Sequence, residues 1–196
     1  MAMNLEIESY HSYGGNHNVA EYAVIIDGVV FETWVTSCPH KVQKWIRGIE
    51  NWNHHRLHRL IVGLDTEWRP NTVRGQENPV AILQLCVSRS CLIYEFHRVT
   101  HYDKQKLYRD YALEVGKTAD LRERAAHELT DADLRSAGLK KLAKVILGKD
   151  VGNEELMKVR MSDWDNSHLS NDQVLYACLD AYLAFAIGRQ LESWYD

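Results

Sequence analysis

The stretch that decides the fold is Ile61-Val62-Gly63-Leu64-Asp65-Thr66-Glu67-Trp68. Its apolar beginning predicts a buried central strand, and its end carries two carboxylates, Asp65 and Glu67, with a single residue between them. Because side chains alternate along a strand, both carboxylates point to the same side of the sheet. Two carboxylates in a half-buried cleft repel each other unless positive charge, proton sharing or water offsets the repulsion. A hard divalent cation such as Mg²⁺ does so with oxygen ligands alone.

A second stretch, Tyr176-Ala177-Cys178-Leu179-Asp180, adds a phenol and a third carboxylate. Ser170, followed three residues later by Gln173, is typical of a capping box, so we predict a helix that starts there and continues to about Trp194. Tyr176 and Asp180 are four residues apart and therefore lie on adjacent turns of one helix face. The phenol and the carboxylate are expected at one site.

These two stretches resemble the first and third motifs of the DEDD exonucleases, Asp-x-Glu and Tyr-x-x-x-Asp, in the subgroup that carries the tyrosine. Asp-x-Glu alone is weak evidence, but both motifs in this order and at this separation are strong evidence. The chain is particularly similar to stand-alone Werner-type exonuclease domains, those of plants above all, from about Tyr22 to the C-terminus with one gap. Further matching stretches are Gly63 to Pro70, Asp163-Trp164-Asp165, Leu169 to Gln173 and Asp180-Ala181-Tyr182.

The resemblance implies a fold and an activity. The implied fold is α/β and ribonuclease H-like, with three antiparallel strands plus parallel strands in a mixed sheet flanked by helices. The implied activity is that of a 3'-5' exonuclease, in which water attacks the terminal phosphodiester bond of DNA or RNA. Two ions, Mg²⁺ or Mn²⁺, about 4 Å apart would stabilise the attacking and leaving oxygens. The implied partner is a nucleic acid with a 3' end. No association with a membrane is implied.

The resemblance also assigns roles to site residues. Asp65 and Glu67 would hold the first ion, Asp65 would bridge to the second ion, and Asp180 would complete the first ion's shell. Tyrosine has an ordinary pKa near 10, so we expect Tyr176 to orient a water that the metal has acidified rather than to deprotonate it alone. The family's second motif is an aspartate that opens a helix and binds the outer ion, and Asp103 matches that aspartate.

The second motif is shortened in this chain. Six residues lie between Phe96 and Asp103, whereas a crossover into a parallel strand needs about a dozen or more. We therefore expect one family strand and one helix to be missing there, which would leave the Asp65 strand with unpaired backbone groups. A second copy of the chain is one way to cover them. The alternative function is that of a catalytically impaired exonuclease-like protein that binds nucleic acid or protein.

The 196 residues fit a loose, polar arm over residues 1–20 and a single exonuclease-like domain over 21–196. A formal net charge of −4 argues against a wholly basic nucleic-acid coat. No signal peptide is evident, and no window approaches the length of a membrane span, so we expect an intracellular protein. The resemblance suggests the nucleus, and the cytoplasm stays open. The four cysteines are expected to be reduced core thiols.

Other residues and elements of the chain have simpler interpretations. Three histidines, two of them at helical i, i+4 spacing, could bind a transition metal, although a solvated basic helix end is the favoured interpretation. The predicted elements are a hairpin over Glu21–Val35 turning at Asp27-Gly28, a helix from Pro39 to about Ile49 opened by Ser37, strands over Val80–Val87 and Cys91–Phe96, and a helix over Leu139–Leu147 that stops at Gly148. The histidines are His54, His55 and His58; residues interpreted as surface charges are Arg69, Arg74, Lys140, Lys141 and Lys144, and as packing residues Trp68 and Trp164.

Overall fold

The computed structural model of the chain describes residues 2–10, 19–72, 75, 78–96 and 119–192. Within these residues the centre is a six-stranded mixed sheet with the strand order β1-β2-β3-β6-β5-β4. The strands are β1 (Leu5–Tyr10), β2 (Ala20–Ile26), β3 (Val29–Thr36), β4 (Gly63–Trp68), β5 (Val80–Val87) and β6 (Ser90–Glu95).

The strand with the two carboxylates begins an antiparallel meander. β4 pairs with β5, and β5 pairs with β6, both antiparallel, as predicted. β6 then pairs in parallel with β3, which joins the meander to the predicted hairpin of β2 and β3. Among the described residues β4 is the last strand of the sheet, so its outer edge faces away from the other five strands. The strand and helix expected to be missing between Phe96 and Asp103 fall outside the described residues.

The N-terminal segment departs from its prediction. A loose arm was expected over residues 1–20, but Leu5–Tyr10 forms β1, antiparallel to β2. The polar composition concealed a short alternation in which Leu5 and Ile7 pack against the core of the sheet. Two hydrogen bonds tie the beginning of the strand to the β2–β3 turn: Asp27 N donates to Asn4 O at 2.8 Å, and Asn4 N donates to the side-chain Oδ1 of Asp27 at 3.0 Å.

Helices cover both faces of the sheet. One face packs against α1 (Pro39–Trp52) through Val42, Trp45 and Ile49. Cys38, rather than Ser37, is the N-cap of α1, and no side chain caps the helix. The other face packs against α5 (Asn171–Glu192), which is surrounded by α2 (Leu121–Glu128), α3 (Leu139–Leu147) and the short α4 (Glu154–Lys158). As predicted, α3 ends at Gly148, whose φ of 66° suits glycine.

The helix α5 is the central helix of the core. It is long and apolar enough to cross a membrane by length and composition, so the expectation that no segment approaches a membrane span is wrong for this helix. Of its apolar window, 72% is buried inside the protein, which is the environment of a core helix. Cys178 of α5 is buried, as are Cys86 and Cys91, and all four cysteines are free; Cys38 is only half-buried.

Candidate active site

The contact between β4 and α5 builds the site. Gly63, Asp65 and Glu67 alternate along β4 and share the face that meets α5. A Cβ atom at Gly63 would lie 2.1 Å from the carbonyl oxygen of Ala181 and 2.5 Å from the amide nitrogen of Phe185. The strand and the helix therefore approach backbone to backbone at this glycine. That close approach brings the next two alternating residues of β4 to the middle of α5.

The three predicted carboxylates of these two elements meet. Asp65, Glu67 and Asp180 each offer an oxygen, and these oxygens lie within 4.8 Å of one another. The side chains of Glu67 and Asp180 are buried, and Asp65 is half-buried. We call this group the acidic cup. Among the described residues, it is the cluster whose composition and spacing could hold a metal ion.

Because the carboxyl groups of the acidic cup are largely buried, they bind protons more readily than usual when no other cation is present. Loss of solvation raises the pKa of Glu67 to about 8, and the charges of Asp65 and Asp180 raise it in the same direction. Burial and the charge of Asp65 raise the pKa of Asp180 to about 7. Burial also raises the pKa of Asp65. Near neutral pH the cup therefore shares protons, which a divalent cation can replace.

Tyr176 joins the cup from the preceding turn of α5. Its hydroxyl donates a hydrogen bond to the carboxylate of Asp180. Burial and the nearby charges of Asp180 and Glu67 raise the pKa of Tyr176 well above its ordinary value. The phenol therefore stays protonated at neutral pH and can donate a hydrogen bond. The ring of Trp164 packs beside it, with the ring centroids 6.0 Å apart.

The start of α5 is fixed by the predicted capping box. The amide of Gln173 donates to Ser170 Oγ at 3.2 Å, and the amide of Ser170 donates to Gln173 Oε1 at 2.9 Å. Gln173 Nε2 also donates to Ser162 Oγ at 2.9 Å and to the carbonyl of Asp163 at 3.1 Å. These bonds tie the segment before α5 to the helix and so position Tyr176 and Trp164.

Two site residues were missed by the sequence reasoning. Gln84 on β5 pairs directly with Asp65 in the strand register, so its side chain is on the same face as the cup. Arg160 carries a positive charge that partly opposes the rise in the pKa values of Asp65, Glu67, Asp180 and Tyr176. Gln84 could have been found as a polar residue inside the apolar stretch Val80–Val87. Arg160 could have been found from its place just before Asp163-Trp164-Asp165.

Other candidate residues lie elsewhere. Asp103, the fourth predicted ligand, and Arg74 fall outside the described residues. His54 lies in a turn and His58 in a 3-10 helix, Leu57–Arg59, so the α-helical spacing expected for the histidines is wrong. Trp164 is fully buried, as expected for a packing residue, whereas Trp68 is exposed.

Comparison with known proteins identifies the family. The sequence pattern of the 3'-5' exonuclease family matches residues 96–194. The chain belongs to this family. It is 30% identical over 154 residues to the bifunctional 3'-5' exonuclease/ATP-dependent helicase WRN of Mus musculus, covering 67% of this chain and 11% of that protein. It is 29% identical over 162 residues to a 3'-5' exonuclease of Arabidopsis thaliana, covering 69% of this chain and 54% of that protein.

Solved structures agree on the fold of this family member. The EXO domain of Aedes aegypti Nibbler superposes with a TM-score of 0.55 at 17% identity, covering 81% of this chain and 86% of that chain. RNase D of Trypanosoma brucei superposes with a TM-score of 0.53 at 13% identity, covering 81% of this chain and 64% of that chain. The predicted ribonuclease H-like mixed fold is confirmed. The chain spans between 11% and 54% of the length of the curated relatives described above.

Proposed function

We propose that this chain is a metal-dependent 3'-5' exonuclease that hydrolyses the terminal phosphodiester bond of a nucleic acid by the tyrosine-subgroup mechanism. The observation that carries the proposal is the convergence of Asp65, Glu67 and Asp180 in one cup beside Tyr176. Membership of the 3'-5' exonuclease family supports the reaction class. The WRN and Arabidopsis thaliana relatives are longer proteins, of which this chain spans 11% and 54%.

The donor set of the cup fits the metal that this family implies. Asp65, Glu67 and Asp180 offer only carboxylate oxygens, which hard divalent cations such as Mg²⁺ and Mn²⁺ prefer. The cup is also proton-binding without such a cation, as the raised pKa values of Glu67 and Asp180 show. Asp103 is the proposed further ligand of a second ion. When bound, such ions acidify water and neutralise the charge of the phosphodiester in its transition state.

The residues of the site are proposed to have three further roles: to bind the cation, to orient the attacking water and to attract the phosphate. Asp65, Glu67 and Asp180 hold the cation-binding oxygens in place. Tyr176 keeps its proton and is proposed to orient the attacking water by hydrogen bonding, while its own bond to Asp180 fixes the ring. Arg160, whose charge acts on every member of the cup, is proposed to attract the phosphate of the 3' end.

The decisive experiment uses matched single-stranded DNA and RNA of one sequence, each labelled at the 5' end. With Mg²⁺ or Mn²⁺ we expect stepwise shortening from the 3' end, and with EDTA we expect none. Asp65→Ala and Asp180→Ala should abolish the shortening, whereas Asp172→Ala, an exposed aspartate on the same helix, should retain it. Intact strands with the folded wild-type chain would refute the nuclease.

The alternative of an impaired binding module is favoured by one observation, the six residues between Phe96 and Asp103. It predicts metal-independent binding of the same strands without shortening. Asp103→Ala separates the two functions. In an active nuclease this change should cost activity by removing a metal ligand, whereas in a binding module it should leave strand affinity unchanged.

A further inference from the structure

A cavity of about 620 Å³ opens at the end of the sheet where β4 begins. Its walls come from the connection between α1 and β4, the β5–β6 turn, α2 and the last turns of α5. Ile61 lines the cavity and lies four residues before Asp65, which at about 3.3 Å per residue separates the cavity from the acidic cup by about 13 Å. The cavity is therefore a separate site, located where the chain enters β4 and beside the last turns of α5.

The charge of this cavity is opposite to that of the cup. Among the described residues, the lining contains four arginines, Arg56, Arg59, Arg124 and Arg189, and one carboxylate, Glu192. Arg124 lies 3.6 Å from that carboxylate, so this acid is already paired. The chain as a whole carries a formal net charge of −4. Such a concentration of positive charge in a concave site is stabilised by a bound anion.

The arginines are positioned by neighbouring groups. Arg56 Nε donates to Asn53 Oδ1 at 3.2 Å, and with respect to the described part of the chain its terminal nitrogens are available to a ligand. The guanidinium carbon of Arg189 lies 5.9 Å from the centroid of the Phe185 ring, a cation–π distance. Leu60, Ile61 and Phe185 supply apolar wall. Guanidinium groups bind phosphate through paired hydrogen bonds, and the volume suits a small organic molecule.

We propose that this arginine cavity binds an organic phosphate of nucleotide size. Guanidinium groups would hold the phosphate, and the apolar wall would hold the remainder of the molecule. A free nucleotide and the end of a nucleic-acid strand both present this chemistry. The proposal does not depend on the nuclease activity, because the cavity uses none of the residues of the acidic cup.

Calorimetric titration of the full chain in EDTA tests this site, because without divalent cations the acidic cup repels phosphate. The probes are inorganic phosphate, adenosine 5'-monophosphate and a four-nucleotide DNA strand. We expect adenosine 5'-monophosphate to bind, and the double variant Arg56→Gln/Arg189→Gln to weaken this binding at least tenfold. Arg47→Gln, an exposed arginine of α1 outside the cavity, is the matched control and should bind as the wild type does.

Comparing the mononucleotide with the four-nucleotide strand shows which molecule supplies the bound phosphate. Binding of the strand but not of the mononucleotide, again lost in the double variant, would support the site and assign it to strand phosphates. The proposal is overturned if no probe binds the wild-type chain at millimolar concentration, or if the double variant and Arg47→Gln bind equally well. Melting curves of each variant establish that the folded protein is being compared.

Gln84 carries a second inference, which rests on the proposed metal site. Its side chain is fully buried, and neither Nε2 nor Oε1 has a hydrogen-bond partner among the described residues. It lies directly opposite Asp65 on the neighbouring strand, where paired Cβ atoms are about 5 Å apart. A buried amide without partners costs free energy, so its position beside the cup calls for a ligand that would satisfy it.

We infer that Gln84 is a positioning residue for Asp65. When the cup holds a cation, the Gln84 amide would donate to the Asp65 carboxylate, directly or through water, and so fix its orientation. Partners of this kind around metal-binding carboxylates typically change metal affinity by about 10- to 100-fold. A purely structural glutamine would not change metal affinity when an apolar side chain of similar size replaces it.

The test compares Gln84→Leu and Gln84→Met with Gln43→Leu, a glutamine on α1 at the opposite face of the sheet. Mn²⁺ affinity is measured by calorimetry, and folding by thermal melting in EDTA. We expect both Gln84 variants to melt no lower than the wild type without metal but to bind Mn²⁺ at least tenfold more weakly. Unchanged Mn²⁺ affinity in the folded variants would overturn this role. Absence of Mn²⁺ binding in the wild type would instead count against the proposed function.

Discussion

Along the contact between β4 and α5, one end holds three carboxylates and the other borders four arginines. The two sites share α5 and the segment that contains β4. Ile61, just before β4, lies beside Gly188, whereas Asp65 and Glu67 on β4 lie beside Asp180. The two sites differ in how deeply they are buried and in the sign of the counter-ion that would neutralise them. The cup places like charges in a closed site that needs cations, whereas the arginine cavity places like charges in an open site that attracts anions.

Both ends depend on Gly63, and its substitution gives the largest expected effect. In Gly63→Val the new side chain would meet the backbone of Ala181 and Phe185, at 2.1 and 2.5 Å for its Cβ, and neither can move without displacing α5. We expect a loss of roughly 3 kcal/mol or more in the free energy of unfolding, since overpacking against backbone exceeds ordinary core strain. Urea unfolding followed by circular dichroism measures it.

Gly48→Ala is the control for this substitution. Gly48 lies within α1, and a Cβ there would meet nothing within 4 Å. Alanine should stabilise the helix by roughly 0.5–1 kcal/mol through its higher helix propensity. If Gly63→Val were as stable as the wild type, the close packing of β4 on α5, and with it the shared origin of the two sites, would be wrong.

The pH dependence of stability should distinguish the two ends. Burial raises the pKa of Glu67 from an ordinary 4.5 to about 8, and that of Asp180 from 3.8 to about 7. The folded state therefore binds these protons more tightly than the unfolded state, which stabilises the metal-free protein at acidic pH. This stabilisation is lost as the pH rises through 7 and 8. Each pKa unit corresponds to about 1.4 kcal/mol, so the change is measurable.

We expect the metal-free chain to melt at a lower temperature at pH 8.5 than at pH 5.5. Mg²⁺ should raise the melting temperature more at pH 8.5, where the carboxylates are charged. Glu67→Gln should flatten this pH dependence, whereas Arg56→Gln/Arg189→Gln should leave it unchanged because arginine does not titrate in this range. An equal pH dependence in the wild type and in Glu67→Gln would contradict the assignment.

Tyr176→Phe tests whether the phenol acts on the reaction rather than on the cation. Removing the hydroxyl leaves Asp65, Glu67 and Asp180 in place, so Mn²⁺ affinity should change less than threefold. Turnover should fall by roughly 100-fold, the lower range for a positioned proton-handling group. Calorimetry and strand shortening measure the two quantities on the same preparation. A loss of metal affinity as large as the loss of turnover would show instead that the tyrosine mainly holds Asp180.

The sequence predicted the acidic cup better than its surroundings, for a physical reason. The alternation of β4 and the helical spacing of Tyr176 and Asp180 are local patterns, and their convergence was implied by the family resemblance. Gln84 and the arginine cavity depend on strand register and on the packing of distant segments, which no local pattern encodes. The β1 strand was missed because its apolar alternation is short and lies in a polar segment, although all six of its residues pair with β2.

Ser170→Ala has the smallest expected effect and concerns only the acidic end of α5. The hydroxyl of Ser170 accepts from the amide of Gln173 at 3.2 Å, and its loss should cost about 1 kcal/mol in the free energy of unfolding. Gln173 keeps its bonds to Ser162 and Asp163, so Tyr176 should stay in position and turnover should fall less than about threefold. Ser167→Ala, at an exposed serine outside the cap, should be neutral. A large loss of turnover at Ser170 would show that the cap, rather than the packing of Gly63, determines how α5 meets β4.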